Sequence, residues 1–291
     1  MTFTKTRIAP TPSGYLHLGN VMSFLITAAL ARQNGAKILL RIDDLDKERV
    51  KKKFVEDIFK TLTFLEIPWD EGPKNYQEFK AKFSQVHRLK SYRKALDHLK
   101  NSGNLFACDC SRRQINRESP DGSYPGTCKN KMVPFNNKEA SWRLNTDMNK
   151  EVSYKDVAGK DVTASLPSLL KDFVVLRKDG LPAYQLTSVV DDMMDKIDLI
   201  VRGKDLWGSS IAQVYLGEKL LGAPLKGTQF FHHALMTDSK NRKMSKSSGA
   251  SSIQQLIKAG VDKAEIYRMI GEFLKLKQPI TNFEEFQNAY K

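Results

Sequence analysis

A histidine and two lysines, far apart in the chain, are the residues best suited to handle a phosphate. His17 stands in Arg7-Ile-Ala-Pro-Thr-Pro-Ser-Gly-Tyr-Leu-His-Leu-Gly-Asn20, which joins a short apolar start to the apolar run Val21 to Ala31. That order reads as a buried strand, a tight turn and a helix start. The first N–H groups of a helix lack intrahelical partners, so the spot attracts anions, and His17, Gly19 and Asn20 can all donate there. Lys243 and Lys246, in Lys243-Met-Ser-Lys-Ser247, sit on a Ser/Gly-rich stretch able to close over the same anion. A second kind of chemistry belongs to Cys108, Cys110 and Cys128, grouped in a segment of little regular periodicity. Clustered thiols in a reducing compartment point to a metal, and zinc takes four donors in a tetrahedron. Three thiols leave one place for water, Asp109 or Tyr124.

These groups need elements to hold them. Lys37-Ile-Leu-Leu-Arg-Ile-Asp43 reads as a second buried strand ending in carboxylates, so strand, helix, strand makes a parallel βαβ unit. Ligands of such sheets bind beyond the carboxyl ends of the strands, where Arg7 to Thr11 and Arg41 to Asp44 arrive. Arg49 to Leu65 reads as a basic helix, and Phe83 to Lys100 as an amphipathic one with Val86, Leu89, Tyr92, Leu96 and Leu99 on one stripe. Residues 139 to 180 are expected to be β-rich, with Asp179-Gly180 as a hairpin turn. From Leu181 the α/β pattern resumes: a helix through Asp192, a strand Asp195 to Val201, a helix from Ser209 with Asp205 as N-cap, and a strand Thr228 to Leu235. Short helices are expected over Ser252 to Ala259 and Asp262 to Leu274. No ligand spacing supports His87, His98, His232 or His233, which take the bland reading.

The expected fold class is therefore α/β with a parallel sheet. Its catalytic domain is expected in two halves, 1–100 and 181–240, with an inserted subdomain at 101–180 and a short helical region at 241–291. The 291 residues suffice for a real core, and 41% apolar with 27% charged residues suits a globular chain. No run approaches a membrane span and no signal-like segment follows Met1, so the expectation is a cytoplasmic protein with no membrane partner, and a monomer. Lys and Arg number 47 against 33 Asp and Glu, and the net charge of +14 suits a polyanionic partner, nucleic acid first.

Read together, the His17 turn and Lys243-Met-Ser-Lys-Ser247 resemble the HIGH and KMSKS signatures of class I aminoacyl-tRNA synthetases. The flanks R-I-A-P-T-P-S-G-Y-L-H-L-G-N and R-I-D-D-L-D-K-E-R resemble the glutamyl branch. The resemblance implies a Rossmann-like sheet and amino-acid activation, in which a carboxylate attacks the α-phosphorus of ATP and pyrophosphate leaves. His17, Gly19 and Asn20 would hold the phosphates, with Asn20 where the signature has its second histidine. Lys246, with Lys243, would neutralise the leaving group, and Mg2+ would accompany ATP. For L-glutamate, Arg7 and Arg202 are implied as carboxylate clamps and Asp43 as the ammonium partner. Tyr184 is implied as a donor, with Thr11 and the Ala9 backbone as the floor. The branch usually has Glu at position 43 and Ser at 11.

The spacing C-x-C…Y-x3-C further resembles the zinc subdomain of bacterial glutamyl-Q tRNA(Asp) synthetases. There a tyrosine oxygen completes the site, which implies Tyr124 as fourth ligand beside Cys108, Cys110 and Cys128; in the synthetase resemblance this inserted subdomain grips the acceptor end of tRNA. Only 44 residues follow Ser247, and full-length glutamyl-tRNA synthetases continue into an anticodon-reading domain. By that resemblance the enzyme activates glutamate without tRNA and attaches it to queuosine in the anticodon of tRNA(Asp). The alternatives are a truncated glutamyl-tRNA synthetase charging the tRNA 3′ end, and a non-catalytic RNA-binding paralogue. A small-molecule nucleotidyltransferase would leave the cysteines and the basic excess unexplained.

Overall fold

The computed structural model describes residues 3–46, 48–220, 227–236 and 252–290. Its strands are β1 (Lys5–Ile8), β2 (Lys37–Leu40), β3 (Leu105–Cys108), β4 (Ser141–Leu144), β5 (Glu151–Asp156), β6 (Asp161–Ser165), β7 (Val174–Leu176), β8 (Leu199–Gly203) and β9 (Gln229–His233). The chain divides into two compact units. One comprises 1–87, 197–205 and 231–291, the other 88–196 and 206–230.

In the first unit β1 pairs in parallel with β2, from Lys5↔Lys37 to Ile8↔Leu40, and with β8 at Thr6↔Leu199. The carboxylate of Asp198 fixes the outer end of this pairing by accepting from the Thr4 and Lys5 N–H groups at 2.7 and 2.8 Å. Helix Leu18–Gln33 connects β1 to β2, as the βαβ reading expects. It is apolar on nearly every side because it is covered on nearly every side: Val21, Met22, Leu25, Ile26, Ala28, Ala29 and Ala31 are all fully buried. Each of its large aliphatic side chains contributes about 1.5–3 kcal/mol by leaving water. The sheet lies against this helix, and so do helices Lys263–Phe273 and Phe283–Ala289 of the C-terminal region. There the Gln33 amide donates to the Gln287 carbonyl at 2.8 Å. The buried Tyr267 hydroxyl donates to the Leu65 carbonyl at 2.6 Å.

The second unit is built differently. β3, β4 and β7 form an antiparallel sheet in that order. β5 and β6 make an antiparallel hairpin, and Gln229 and Phe230 of β9 run parallel to β5. After β7 the chain reverses through Arg177–Gly180, with Gly180 at φ +78° and the Arg177 N–H bonded to the Leu181 carbonyl at 2.9 Å. The Asp-Gly signal is thus a real turn, and glycine meets the positive φ at little cost. Helix Leu89–Asn101 buries Tyr92, Leu96 and Leu99, as its stripe predicts. It starts later than the pattern suggests, because π and 3-10 turns occupy Phe79–Phe83 and Gln85–Arg88.

One expectation fails at the exit of β8. Helix Trp207–Lys219 has Leu206 at its N-cap and follows a 3-10 turn, Lys204–Leu206, so Asp205 does not cap it. The Asp205 carboxylate instead folds back toward the strand, where its Oδ1 lies 2.6 Å from the place a Cβ on Gly203 would occupy. Leu235 crowds the same place at 2.7 Å, so Gly203 is the residue this crossing allows. Among the described residues no helix is long and apolar enough to cross a membrane.

Candidate active site and candidate metal centre

The strand exits of the first unit run side by side. The Arg41 N–H donates to the Ile8 carbonyl at 2.9 Å and the Asp43 N–H to the Pro10 carbonyl at 3.0 Å, so Ala9–Thr11 and Arg41–Asp43 leave the sheet together. The parallel register Thr6↔Leu199 sets Arg202 level with Ala9. Arg7, Ala9, Thr11, Asp43 and Arg202 therefore all lie at the carboxyl ends of parallel strands, the ligand-binding side of such a sheet. Arg7 and Arg202 are buried, 6% and 4% exposed, whereas Thr11 is exposed. Two guanidinium groups this deeply placed concentrate positive charge at the strand exits, which suits an anionic ligand.

Asp43 has a neighbour that its sequence context did not announce. Arg41 grips it with both ends of its guanidinium, Nε to Oδ1 at 2.8 Å and a second N–H to Oδ2 at 3.3 Å, and both side chains are largely buried. Residues two apart in an extended segment share a face, which was the available signal. The adjoining Asp44 is occupied elsewhere. It accepts from the Ser84 hydroxyl and from the Gln85 N–H at 2.7 Å, and burial raises its pKa against the pull of those hydrogen bonds.

His17 is the N-cap of helix Leu18–Gln33. Its N–H donates to the Asn20 side-chain carbonyl at 3.2 Å, and the Asn20 N–H returns to the His17 carbonyl at 2.9 Å. Asn20 thereby closes the turn with its oxygen, leaving its NH2 as the end suited to donate to an anion. Gly19 lies in the first turn of the helix, partly exposed. The preceding residue is pinned from two sides. The Leu16 N–H donates to the buried Asp57 carboxylate at 3.0 Å, and the Leu16 carbonyl accepts from the Ile253 N–H at 2.8 Å. His17 and Ser252 form a bridge alongside, and the Ser252 hydroxyl caps helix Ile253–Lys258. Asp57 escaped the sequence reading. Its signal was an acid beside the apolar Val55, Ile58, Phe59 and Leu62 of helix Lys52–Phe64, since a carboxylate is buried only with partners. Lys243 and Lys246 lie outside the described residues.

Arg202 has an imidazole for company as well. His232 on β9 is held at a pKa of about 4, by burial first, then by Arg202 and His233. The neighbouring His233 is lowered too, chiefly by burial, with its Nδ1 2.8 Å from the Ala234 carbonyl. Both rings are thus neutral near pH 7. Tyr184 belongs to the second unit, at the first position of helix Tyr184–Met194, and is 44% exposed.

The second unit gathers all three cysteines. Cys108 ends β3, Cys110 follows it, and Cys128 returns from a loop, so that their sulfurs lie within 4.8 Å of one another, buried and unbridged. Cys110 and Cys128 Sγ are 3.3 Å apart. Tyr124 is buried with them and its hydroxyl accepts the Cys128 N–H at 2.9 Å, while Asp109, exposed, places Oδ1 3.3 Å from Cys128 Sγ. Burial works to raise the Cys108 thiol, but the Tyr124 hydroxyl and Arg143 overcome it and hold the thiol below its ordinary value. Cys110 is pushed up to about 12 by burial and by Cys128 and Cys108, and Tyr124 is pushed up by burial and Cys108. Packed donors that oppose one another's ionisation are what a divalent cation reverses, so this set fits zinc chemically.

A sequence profile of the family described as tRNA synthetases class I (E and Q), catalytic domain, matches residues 4–274. A protein of Dechloromonas aromatica named glutamyl-Q tRNA(Asp) synthetase is 34% identical over 272 residues, covering 91% of this chain and 85% of that one. A glutamate–tRNA ligase of Desulfotalea psychrophila is 35% identical over 262 residues, covering 85% of this chain and 50% of that one. The chain spans about half the length of the glutamate–tRNA ligases it matches. In shape it is similar to the glutamate–tRNA synthetase of Elizabethkingia anophelis, with a TM-score of 0.77 at 18% identity over 99% of this chain and 66% of that one. The expected fold class is borne out.

Proposed function

We propose that this chain, which belongs to the class I tRNA synthetase (E and Q) catalytic-domain family, activates L-glutamate with ATP and transfers the glutamyl group to queuosine in tRNA(Asp). The observation that carries the first half is the joint arrival of buried Arg7 and Arg202 at the carboxyl ends of β1 and β8. A ligand with two carboxylates meets two guanidinium groups there, and Asp43, balanced by Arg41, offers the acid that an ammonium requires. His17 and Asn20 at the helix start take the ATP phosphates. A glutamate carboxylate oxygen then bonds to the α-phosphorus as the bond to the pyrophosphate oxygen breaks. The chain positions the reactants and meets the growing charge rather than forming a bond itself. Lys246, with Lys243, neutralises the leaving pyrophosphate in this reading. Mg2+ bound with ATP supplies further charge neutralisation through phosphate and water ligands.

The second half rests on two supports. One is the gathered donor set, in which Cys108, Cys110, Cys128 and Tyr124 would hold zinc; bound there, the ion cross-links loops of a subdomain that meets tRNA. The other is the similarity to the Dechloromonas aromatica protein along 85% of its length. Charging of a tRNA 3′ end is the second reading, favoured by 35% identity to a glutamate–tRNA ligase against 34% to the Dechloromonas aromatica protein. Exchange of labelled pyrophosphate into ATP, with glutamate and no tRNA, tests activation; its absence with and without tRNA overturns the proposal. Nuclease digestion after transfer from labelled glutamate then decides the acceptor. Label on the anticodon nucleoside is expected, and label on the 3′-terminal adenosine establishes the second reading.

A further inference from the structure

A cavity of about 320 Å3 opens in the second unit beside the cysteine cluster, and its polar lining is strongly one-sided. Arg112, Arg143 and Lys171 border it together with Tyr124, Leu169 and Phe173, and no carboxylate is among its walls. Among the described residues none of these three cations joins an ion pair. The neighbouring acid, Asp172, is turned away: its Oδ1 accepts from Thr146 at 2.8 Å and faces Lys129 at 3.4 Å.

Arg143 is the informative member. It is 8% exposed, its guanidinium carbon lies 3.8 Å over the Tyr124 ring centre, and one terminal N–H donates to the Asp172 carbonyl at 2.9 Å. Its Nε is buried with no hydrogen-bond partner among the described residues. Arg143 already holds the Cys108 thiol low on its inner side, and Arg112 and Lys171 bring two further cations to a cavity with no acid, an arrangement suited to an anion. The anion is not an isolated one, because the same walls present exposed Leu169 and two aromatic rings. A phosphate with an apolar face next to it is what a nucleotide offers.

We infer that this cavity seats one backbone phosphate of the RNA substrate, with Arg143 at its floor and Arg112 and Lys171 at its rim. The inference rests on the reading above that the chain acts on RNA. It adds the place where the second unit takes hold of that RNA.

The test uses the full chain and a short fluorescein-labelled RNA hairpin, with affinity read by anisotropy over a range of salt. Arg112→Gln and Lys171→Gln are expected to weaken binding about five- to tenfold each. Because both serve one phosphate, the double variant is expected to lower the salt slope by about one rather than two. Arg117→Gln, on the same helix but outside the cavity, is the comparison. An equal loss in Arg117→Gln, or no loss in the cavity variants, overturns the site in favour of a diffuse basic surface. Inorganic phosphate, followed by 31P line broadening, forms the second arm. Phosphate binding that the cavity variants abolish while RNA affinity stays whole overturns the RNA assignment. Pyrophosphate exchange by the unaltered protein is scored separately. A protein that exchanges but whose cavity variants bind RNA normally refutes this site alone, and one that never exchanges refutes the earlier reading alone.

Discussion

The His17 turn and the cysteine cluster are two ways of building a polar site. The first is held by the backbone. Leu16 is fixed by Asp57 on one side and Ile253 on the other, Asn20 closes the turn, and the strand exits are tied by main-chain bonds. The second is held by packed donors that oppose one another's ionisation, gathered from the end of β3 and the loop that returns to it. A site of the first kind keeps its shape whether or not a ligand is present. One of the second kind depends on what it binds, and the two should respond differently to the same insults.

The largest contrast is expected from Cys128→Ser. Zinc content should fall from stoichiometric to near none, and the second unit should lose several kcal/mol of stability and become sensitive to protease. Limited proteolysis with metal analysis checks this, and a zinc-free protein of unchanged stability would place the cysteines in the ordinary core. Next comes His17→Ala, which should cut glutamate-dependent pyrophosphate exchange by about 10²–10³-fold while leaving the melting temperature nearly unmoved. A large melting shift without a kinetic one would reverse the roles assigned here. Asp57→Ala joins stability to chemistry at the turn. Loss of a buried acceptor should cost about 1–3 kcal/mol and slow exchange with it, whereas Asp57→Asn, which still accepts, should recover much of both. Chemical denaturation alongside exchange kinetics separates these outcomes.

The smallest effect concerns pH. The unfolded chain protonates His232 near the ordinary value of 6.5 and the folded chain only near 4. Stability is therefore lost as pH falls from about 6.5 toward 4 and changes no further from this group below that. Partial exposure of the ring limits the effect to the order of 1 kcal/mol. His232→Gln should flatten that limb of the stability curve, and an unaltered limb would assign it to other groups.

Much of the fold could be read because its signals are local. Apolar runs announced β1, β2 and the first helix, and Asp179-Gly180 announced its turn. The gathering of three cysteines was legible from their closeness along the chain. Arg41 and Asp57 were not, because their meaning depends on partners. Arg41 looks like any strand-edge cation until Asp43 is placed beside it, and Asp57 looks like a surface acid until Leu16 arrives 41 residues away in sequence. Asp205 misled for the opposite reason. Its type and place fit an N-cap, but it lies inside the 3-10 turn Lys204–Leu206, so the cap position falls to Leu206.

The doubly pinned Leu16 also has a history during synthesis. Its first support, Asp57, leaves the ribosome soon after it, while the second, Ile253, follows 196 residues later. At roughly 5–20 residues per second, a growing chain carries that carbonyl without its strand-like partner for about 12–47 s, the time to add the 237 residues from Leu16 to Ile253. The His17 turn is thus among the earliest stretches to be translated and among the last to be completed.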